Sequence, residues 1–286
     1  MNTKRLSAFI LERHRVWLGK TRGEPWPWTE DPVLRKFRFC NIRRNLDKET
    51  ILIQTHWLHP HKGGPDLWFA MVVARLVNWW PSLAELEFPV PWDPSLFKAR
   101  LTARKALGHK VFTGAYMVRA DAVVSGNKHD YLADYVLTPL WEDREAVRPR
   151  KGDTLDAFHR RLMKHRDMGS FMAAQVVADL KYDTAGFLYR AKDWHSWAAS
   201  GPGSRRGLSR VMDLPVAYPW RESAWRPAFH ERWVKMKAQH NPALGEVLTG
   251  QDLQNCLCEF DKYERVRLGE GTPRSLYFPP TNMDNL

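Results

Sequence analysis

The sequence predicts a mainly α-helical fold, with short β pieces at most, and two observations carry that expectation. Apolar residues recur at helical spacing through most of the 286-residue chain. Alternating strand patterns are scarce, and neither an internal repeat nor a low-complexity tract interrupts the helical reading. From Ser7 to Gly19 the residues Phe9, Ile10, Arg13, Val16 and Trp17 mark a first helix. Gly23–Pro27 reads as a loop. Asp31-Pro32 places a proline in the first turn of a second helix, expected to run through Phe37, Phe39 and Ile42. Asp66–Trp80 is a strongly apolar helix, and Pro94–Leu107 another. Val111–Val124 fits either a short strand or a helix start. His129–Leu140, Leu155–Met163, Phe171–Leu180, Ala224–His240 and Gly250–Tyr263 all suit helices. The length allows a single domain over residues 1–286, with the charged stretch Glu142–Asp153 as a candidate boundary between two helical lobes. The Pro- and Gly-rich tail after Gly269 is expected to be irregular.

The formal net charge is +12 and 14 residues are tryptophan, a combination that favours a polyanionic partner with bases to stack on. Three cysteines, Cys40, Cys256 and Cys258, are an odd count and do not suggest a disulfide framework. Their spacing is a poor zinc signature, so no metal is expected. The first residues lead into a mixed-charge helix, unlike a secretory signal, and no apolar run approaches the ~20 residues that span a bilayer. A soluble protein of a reducing compartment is expected, without membrane contact.

Four clusters could carry chemistry. The first is Pro27-Trp28-Thr29-Glu30-Asp31 followed by Lys36–Thr50. If the latter is helical, Arg38, Asn41 and Asn45 share one face, and Arg43 and Asp47 share another. The second is Lys164–Leu180, where Gly169 joins two amphipathic helices in the manner of a helix-hairpin-helix element. The turn amides and second-helix N-terminus of such an element grip a DNA phosphate. The third is Gly201-Pro202-Gly203-Ser204-Arg205-Arg206-Gly207, preceded by Trp194 and Trp197, which reads as a turn suited to phosphate and a base. The fourth is Cys258-Glu259-x-Asp261-Lys262-Tyr263, where a carboxylate beside Lys and Tyr suits a tuned acid–base group. No Gly-x-x-x-x-Gly-Lys-Ser/Thr loop, no Gly-x-Gly-x-x-Gly after a strand and no zinc-deaminase signature occurs.

In order along the chain, these pieces resemble the α-glutamyl/putrescinyl-thymine pyrophosphorylases, the amino acid:DNA transferases of bacteriophage DNA hypermodification. Their helical domain is shared with 5-hydroxymethyluridine DNA kinases. The resemblance rests on Arg13-His14, Pro27-Trp28-Thr29-x-Asp31, Arg38-Phe39-Cys40-Asn41-x-Arg43-x-x-Asp47-x-x-Thr50, Gly114-Ala115-Tyr116, Gly169-x-Phe171-x-Ala173-x-Gln175, Gly201-Pro202-Gly203-x-x-Arg206-Gly207 and Cys258-Glu259-x-Asp261-Lys262-Tyr263.

It implies a fold like that of the helix-hairpin-helix DNA glycosylases. It also implies transfer of an amine, from an amino acid or a polyamine such as putrescine, onto pyrophosphorylated 5-hydroxymethyluracil in double-stranded DNA. The amine is then the co-substrate, no cofactor is required, and the enzyme acts after a 5-hydroxymethyluridine DNA kinase, in the host cytoplasm if phage-encoded. The absent P-loop points to transfer rather than phosphorylation.

Such chemistry calls for flipping the base out, with Trp28, Trp194 or Trp197 stacking on it. Cations must meet the departing pyrophosphate, for which Arg205, Arg206, Arg43 and Lys262 are candidates. Asp47 and Glu259 are candidate proton acceptors, with Tyr263 and Lys262 in the same catalytic set. Asn41 could read the uracil edge, and Arg38 could hold an amino-acid carboxylate. Gly201 and Gly203 would line the substrate site, while Lys164, Gly169 and Ser170 would hold the DNA backbone. Direct displacement and a covalent route through Cys40 or Cys258 both stay open. So do a base-excision reading using Asp179 or Asp183, and a non-catalytic DNA-binding module.

Overall fold

The computed structural model describes residues 2–113, 127–244, 247–273 and 276–278. The Gly114-Ala115-Tyr116 motif and most of the ambiguous Val111–Val124 segment lie outside them. The chain divides into two compact units, one formed by Met1–Asp47 with Ala198–Leu286 and the other by Lys48–Trp197. Among the described residues there is no strand, only an isolated antiparallel bridge between Phe37 and Leu276.

Helix α1 spans Asn2–Thr21 and buries Leu6, Phe9, Ile10 and His14. Asp31 caps α2 (Pro32–Lys36): its carboxylate accepts from the backbone N–H groups of Val33 and Leu34 at 2.8 and 3.0 Å, with Pro32 in the first turn. Here the structure departs from the sequence reading. The helix stops at Lys36 and Phe37 is extended. Arg38, Asn41 and Asn45 therefore share no helical face, and Arg43 and Asp47 flank a single 3-10 turn at Arg44–Leu46. The physical reason is competition for backbone groups. The carbonyls and amides of residues 38–41 are taken by side chains from elsewhere in the unit, and Asn41 and Asn45 are weak helix formers.

The second unit is built on α4 (Leu67–Val77), all eleven of whose residues are buried. Before it, α3 (Lys48–Ile53) runs on through a π-helical turn at Gln54–Leu58. After it come α5 (Trp80–Leu86) and α6 (Pro94–Ala106), the latter capped by Asp93. The helix expected at His129–Leu140 is α7 (Lys128–Tyr131) and α8 (Thr138–Glu142) joined by a π-helical stretch. A short α9 (Arg144–Val147) precedes α10 (Leu155–Leu162) and α11 (Ser170–Leu180), which form an αα-hairpin. Helix α11 packs on α4.

The Glu142–Asp153 stretch lies inside this unit and is not where the chain divides. Arg161 on α10 fixes it, donating to the carbonyls of Val147 and Arg148 and pairing with Asp153 at 2.7 Å. The boundaries fall instead at Asp47/Lys48 and Trp197/Ala198.

The chain returns to the first unit as α12 (Pro202–Val211), α13 (Glu222–Leu244) and α14 (Gly250–Arg267). Trp225, Phe229 and Trp233 of α13 join Phe9 of α1, Leu208 of α12 and Phe260 of α14 in one apolar core. The stretch read as a Gly-Pro-Gly-Ser-Arg-Arg-Gly turn is the opening of α12, with Gly201 as N-cap and Pro202 in the first turn. Its glycines serve packing. A Cβ on Gly207 would stand 2.1 Å from the Leu257 carbonyl oxygen, and one on Gly203 would stand 2.3 Å from the Cys258 sulfur. Two glycines four residues apart thus let α12 press its backbone against α14.

Candidate functional site

Within the first unit, the irregular segment Phe39–Asn41 is held on several sides by charged groups. Arg13 on α1 donates to the carbonyls of Phe39 (2.7 Å) and Cys40 (3.1 Å) and to the Asn41 side-chain oxygen (3.3 Å). Glu259 on α14 accepts the Cys40 N–H at 3.0 Å, and Asp47 accepts the Asn41 N–H at 2.9 Å. Lys262, one turn beyond Glu259, pairs with it at 2.5 Å, donates to the Arg38 carbonyl and lies over the Phe39 ring. Asn255 donates to the Asn41 carbonyl. Two carboxylates therefore meet two consecutive backbone amides, with Arg13 and Lys262 as neighbouring cations.

Burial dominates the electrostatics of this segment. Desolvation raises the Asp47 carboxyl above its ordinary value; the Asn41 N–H, Arg44 and Arg13 oppose this and Glu259 adds to it. Desolvation also lowers the Arg13 guanidinium. The three cysteine thiols are all pushed up, mainly by desolvation and then by nearby carboxylates, Cys258 to about 11. For Cys40 the crowding is local to the thiol, since the residue as a whole is exposed. None is poised as a thiolate, the form a covalent route needs.

The Pro27-Trp28-Thr29-x-Asp31 motif ties α1, α2 and α14 together in the same unit. Trp28 packs where Gly19 lacks a side chain and donates to the Glu24 carbonyl. Thr29 donates to Glu12 and accepts from the Asp31 N–H. Tyr263 donates to Asp31 at 2.6 Å, so its hydroxyl is tied to the α2 cap, and burial together with this bond raises its pKa. Arg43 lies over the Trp17 ring, which itself stacks on His14, and the Arg38 side chain is exposed.

The α12 arginines have protein partners in the same unit. Arg206 pairs with Asp261 at 2.8 Å, a carboxylate that also holds Arg210 at 2.9 Å. Arg205 meets Glu222 at 3.2 Å and Ser200 at 2.9 Å. Both arginines keep over a third of their side chains exposed, so each is anchored and still accessible.

The remaining candidates belong to the second unit. Lys164 and Gly169 are exposed in the hairpin turn, where Gly169 is the N-cap of α11 and the Ser170 carbonyl accepts from His159. The turn is braced by Tyr131, which donates to Asp167 and accepts from Arg166. Trp197 is buried, with its indole N–H on Asp156. Asp179 is fully buried in a bidentate pair with Arg75. Among the described residues no His/Cys/Asp/Glu group could hold a metal ion, and no helix is long and apolar enough to cross a membrane.

Sequence reasoning brought Asp47, Glu259, Lys262, Arg38 and Asn41 to one site but passed over Asn255 and gave Arg13 no role. Arg13 stands on a helix with no local sign that it would clasp a segment 26 residues on. Its only signal was its place in the ordered motif set.

The fold and this cluster define a basic helical domain with a partly exposed charged centre, and comparison with known proteins gives it a family. The chain belongs to the family described as 5-hmdU DNA kinase, helical domain, whose model matches residues 2–272. It is similar to a protein named 5-hmdU DNA kinase from Bacillus phage SP10, with 25% identity over 226 residues. That match covers 71% of this chain and 35% of the phage protein, so the chain corresponds to about a third of its relative. No solved structure matches the chain.

Proposed function

We propose that this chain acts in thymine hypermodification, on DNA that carries 5-hydroxymethyluracil, and transfers an amine to the 5-methylene carbon of the pyrophosphorylated base. The observation that supports the place in thymine hypermodification is the family match across residues 2–272, since the relative is named for 5-hmdU in DNA; the transfer step is our extension of it. In the step, the carbon–oxygen bond to pyrophosphate breaks and a carbon–nitrogen bond forms. One amine proton must leave. Asp47, with its raised carboxyl pKa, is the acceptor we assign. Glu259, paired with Lys262, accepts the Cys40 N–H and holds that residue in place. Exposed Arg38 and the accessible Arg206 meet the phosphates of DNA or the departing pyrophosphate. The raised thiols favour direct displacement over a covalent cysteine adduct.

The test is incubation with pyrophosphorylated 5-hydroxymethyluracil DNA and a mixture of glycine, serine, glutamate and putrescine, followed by nucleoside mass analysis. A new amine adduct is the expected product, and its absence with every amine would overturn the transfer step. A second reading is favoured by the kinase relative: a helical domain that presents the base to a phosphoryl-transferring domain. Under it, the chain binds 5-hydroxymethyluracil DNA in preference to thymine DNA and yields no adduct. Replacing Cys40 or Cys258 by Ser should leave transfer within the same order of magnitude.

A further inference from the structure

After α14 has ended, residues 276–278 bring the chain back to the charged centre of the first unit. The family match ends at residue 272, so this segment lies outside it. Leu276 bridges Phe37, and Tyr277 donates its N–H to the Lys36 carbonyl at 3.0 Å. Successive side chains of extended backbone point to opposite sides. Leu276 and Phe278 are accordingly exposed, at 45% and 78%, while Tyr277 turns inward and is half-buried.

The Tyr277 ring meets the Trp28 ring, with centroids 6.1 Å apart and planes at 69°. Its hydroxyl is buried and has no hydrogen-bond partner among the described residues. Burial raises the pKa of that hydroxyl, and Arg13 and Arg38 oppose the rise, so both guanidinium groups stand near it. Arg13 is the residue that clasps Phe39 and Cys40, and Arg38 is exposed. The phenol is therefore seated beside Trp28 and beside two cations of the centre.

This seat is lightly held. Among the described residues a single bridge, in place of a ladder, secures its backbone, and a buried hydroxyl without a partner works against it. Segments with few buried apolar contacts are the ones that open first. A flat ring with an oxygen near guanidinium groups is also the outline of a pyrimidine, whose carbonyl oxygens accept hydrogen bonds and whose face stacks on aromatic side chains. We propose that Tyr277 is an autoinhibitory plug: in the free protein its ring fills the place beside Trp28 that an unstacked pyrimidine takes, and it leaves when the base enters. This regulation rests on the reading that the centre receives a base from DNA, and not on the amine transfer.

The test uses the 286-residue chain without amine, and two short duplexes that differ at one position, 5-hydroxymethyluracil in one and an abasic site in the other. If the plug is seated in about nine of ten molecules, it reduces apparent affinity about tenfold. Tyr277→Ala should therefore bind the 5-hydroxymethyluracil duplex about tenfold more tightly than the unaltered chain, with no gain on the abasic duplex. Tyr277→Phe keeps the ring and removes the unpaired hydroxyl, so it should seat better and bind about threefold more weakly. Tyr277 lies outside the apolar core of the unit, so both variants keep the fold. In the unaltered chain the Tyr277 amide should exchange with solvent faster once the base-bearing duplex is bound.

Weaker binding by Tyr277→Ala would make the phenol a contact to DNA, and unchanged binding by both variants would make it packing. An equal gain on the abasic duplex, or an amide whose exchange DNA does not change, would show that no base displaces it. Each of these results overturns the plug and leaves the DNA reading of the centre standing. Failure of the chain and both variants to bind either duplex overturns both. Binding in the expected order with no adduct under any amine upholds the plug and removes the transfer step alone.

Discussion

Two charge clusters, one in each unit, use charge in opposite ways. In the second, Arg75 of α4 and Asp179 of α11 form a bidentate pair that is almost wholly buried, and Arg75 also reaches Thr50 and Asn78. Every polar atom of that carboxylate is spent on holding two helices together. In the first unit, Asp47, Glu259, Arg13 and Lys262 surround an irregular segment and bond to its backbone, and Asp47, Glu259 and Lys262 stay partly exposed. The difference teaches how to separate charge that builds a core from charge that remains free to meet a substrate. It also weakens the base-excision reading through Asp179, which has no access to a reacting atom.

The sharpest way to break this contrast is Asp179→Ala. Leaving Arg75 buried without its carboxylate should cost about 3–5 kcal/mol of stability in urea unfolding. A loss much smaller than that would mean the pair is not structural. Asp47→Asn should do the reverse, lowering adduct formation by about 10²–10⁴-fold while the unfolding midpoint barely moves, because Asn can still accept the Asn41 N–H. Gly207→Ala should destabilise by about 1–3 kcal/mol, since the new methyl meets the rigid Leu257 carbonyl. Gly203→Ala should cost less, since the Cys258 sulfur is the end of a side chain.

Arg206→Ala should change stability by no more than about 1 kcal/mol, its partner Asp261 keeping Arg210. If DNA affinity falls with it, the arginine meets the backbone; if turnover falls and affinity stays, it meets pyrophosphate.

The smallest effect is on pH dependence. A raised carboxyl pKa means that the folded state holds the Asp47 proton more tightly than the unfolded chain does. Its contribution to stability is therefore present below the ordinary value of 3.8 and fades as pH rises through the native value. Activity runs the other way, because the acceptor must be ionised. The acidic limb of the rate profile should lie above the ordinary carboxylate range and move down in Glu259→Gln, which removes a negative charge that adds to the effect of burial on Asp47. A limb that stays in place would assign it to another group.

Much of the helical layout was legible. The expectations for α4, α6, α10, α11 and α14 came close because each has a continuous apolar stripe or a proline and acidic cap at its start. Two misreadings share one cause. Residues 37–43 carry a helix-compatible pattern, and Gly201–Gly207 carries a turn-like one. What decided both was groups far away in sequence: Arg13 and Glu259 for the first, the backbone of Leu257 for the second. The seat of Tyr277 was illegible for the same reason, since Trp28, Lys36 and Tyr277 are joined only by folding.

By itself the sequence determined the helical class, the basic charge, the absence of a P-loop in this chain and the residue types gathered around Asp47 and Glu259. The class and the charge follow from local periodicity and composition, which need no knowledge of distant contacts, and the residue set around Asp47 and Glu259 from what the family resemblance implies. Only the tertiary structure decided which charges are saturated and which stay accessible. The state of an ionisable side chain depends on its desolvation and its neighbours in space, and several of those neighbours lie 26 to 224 residues away along the chain.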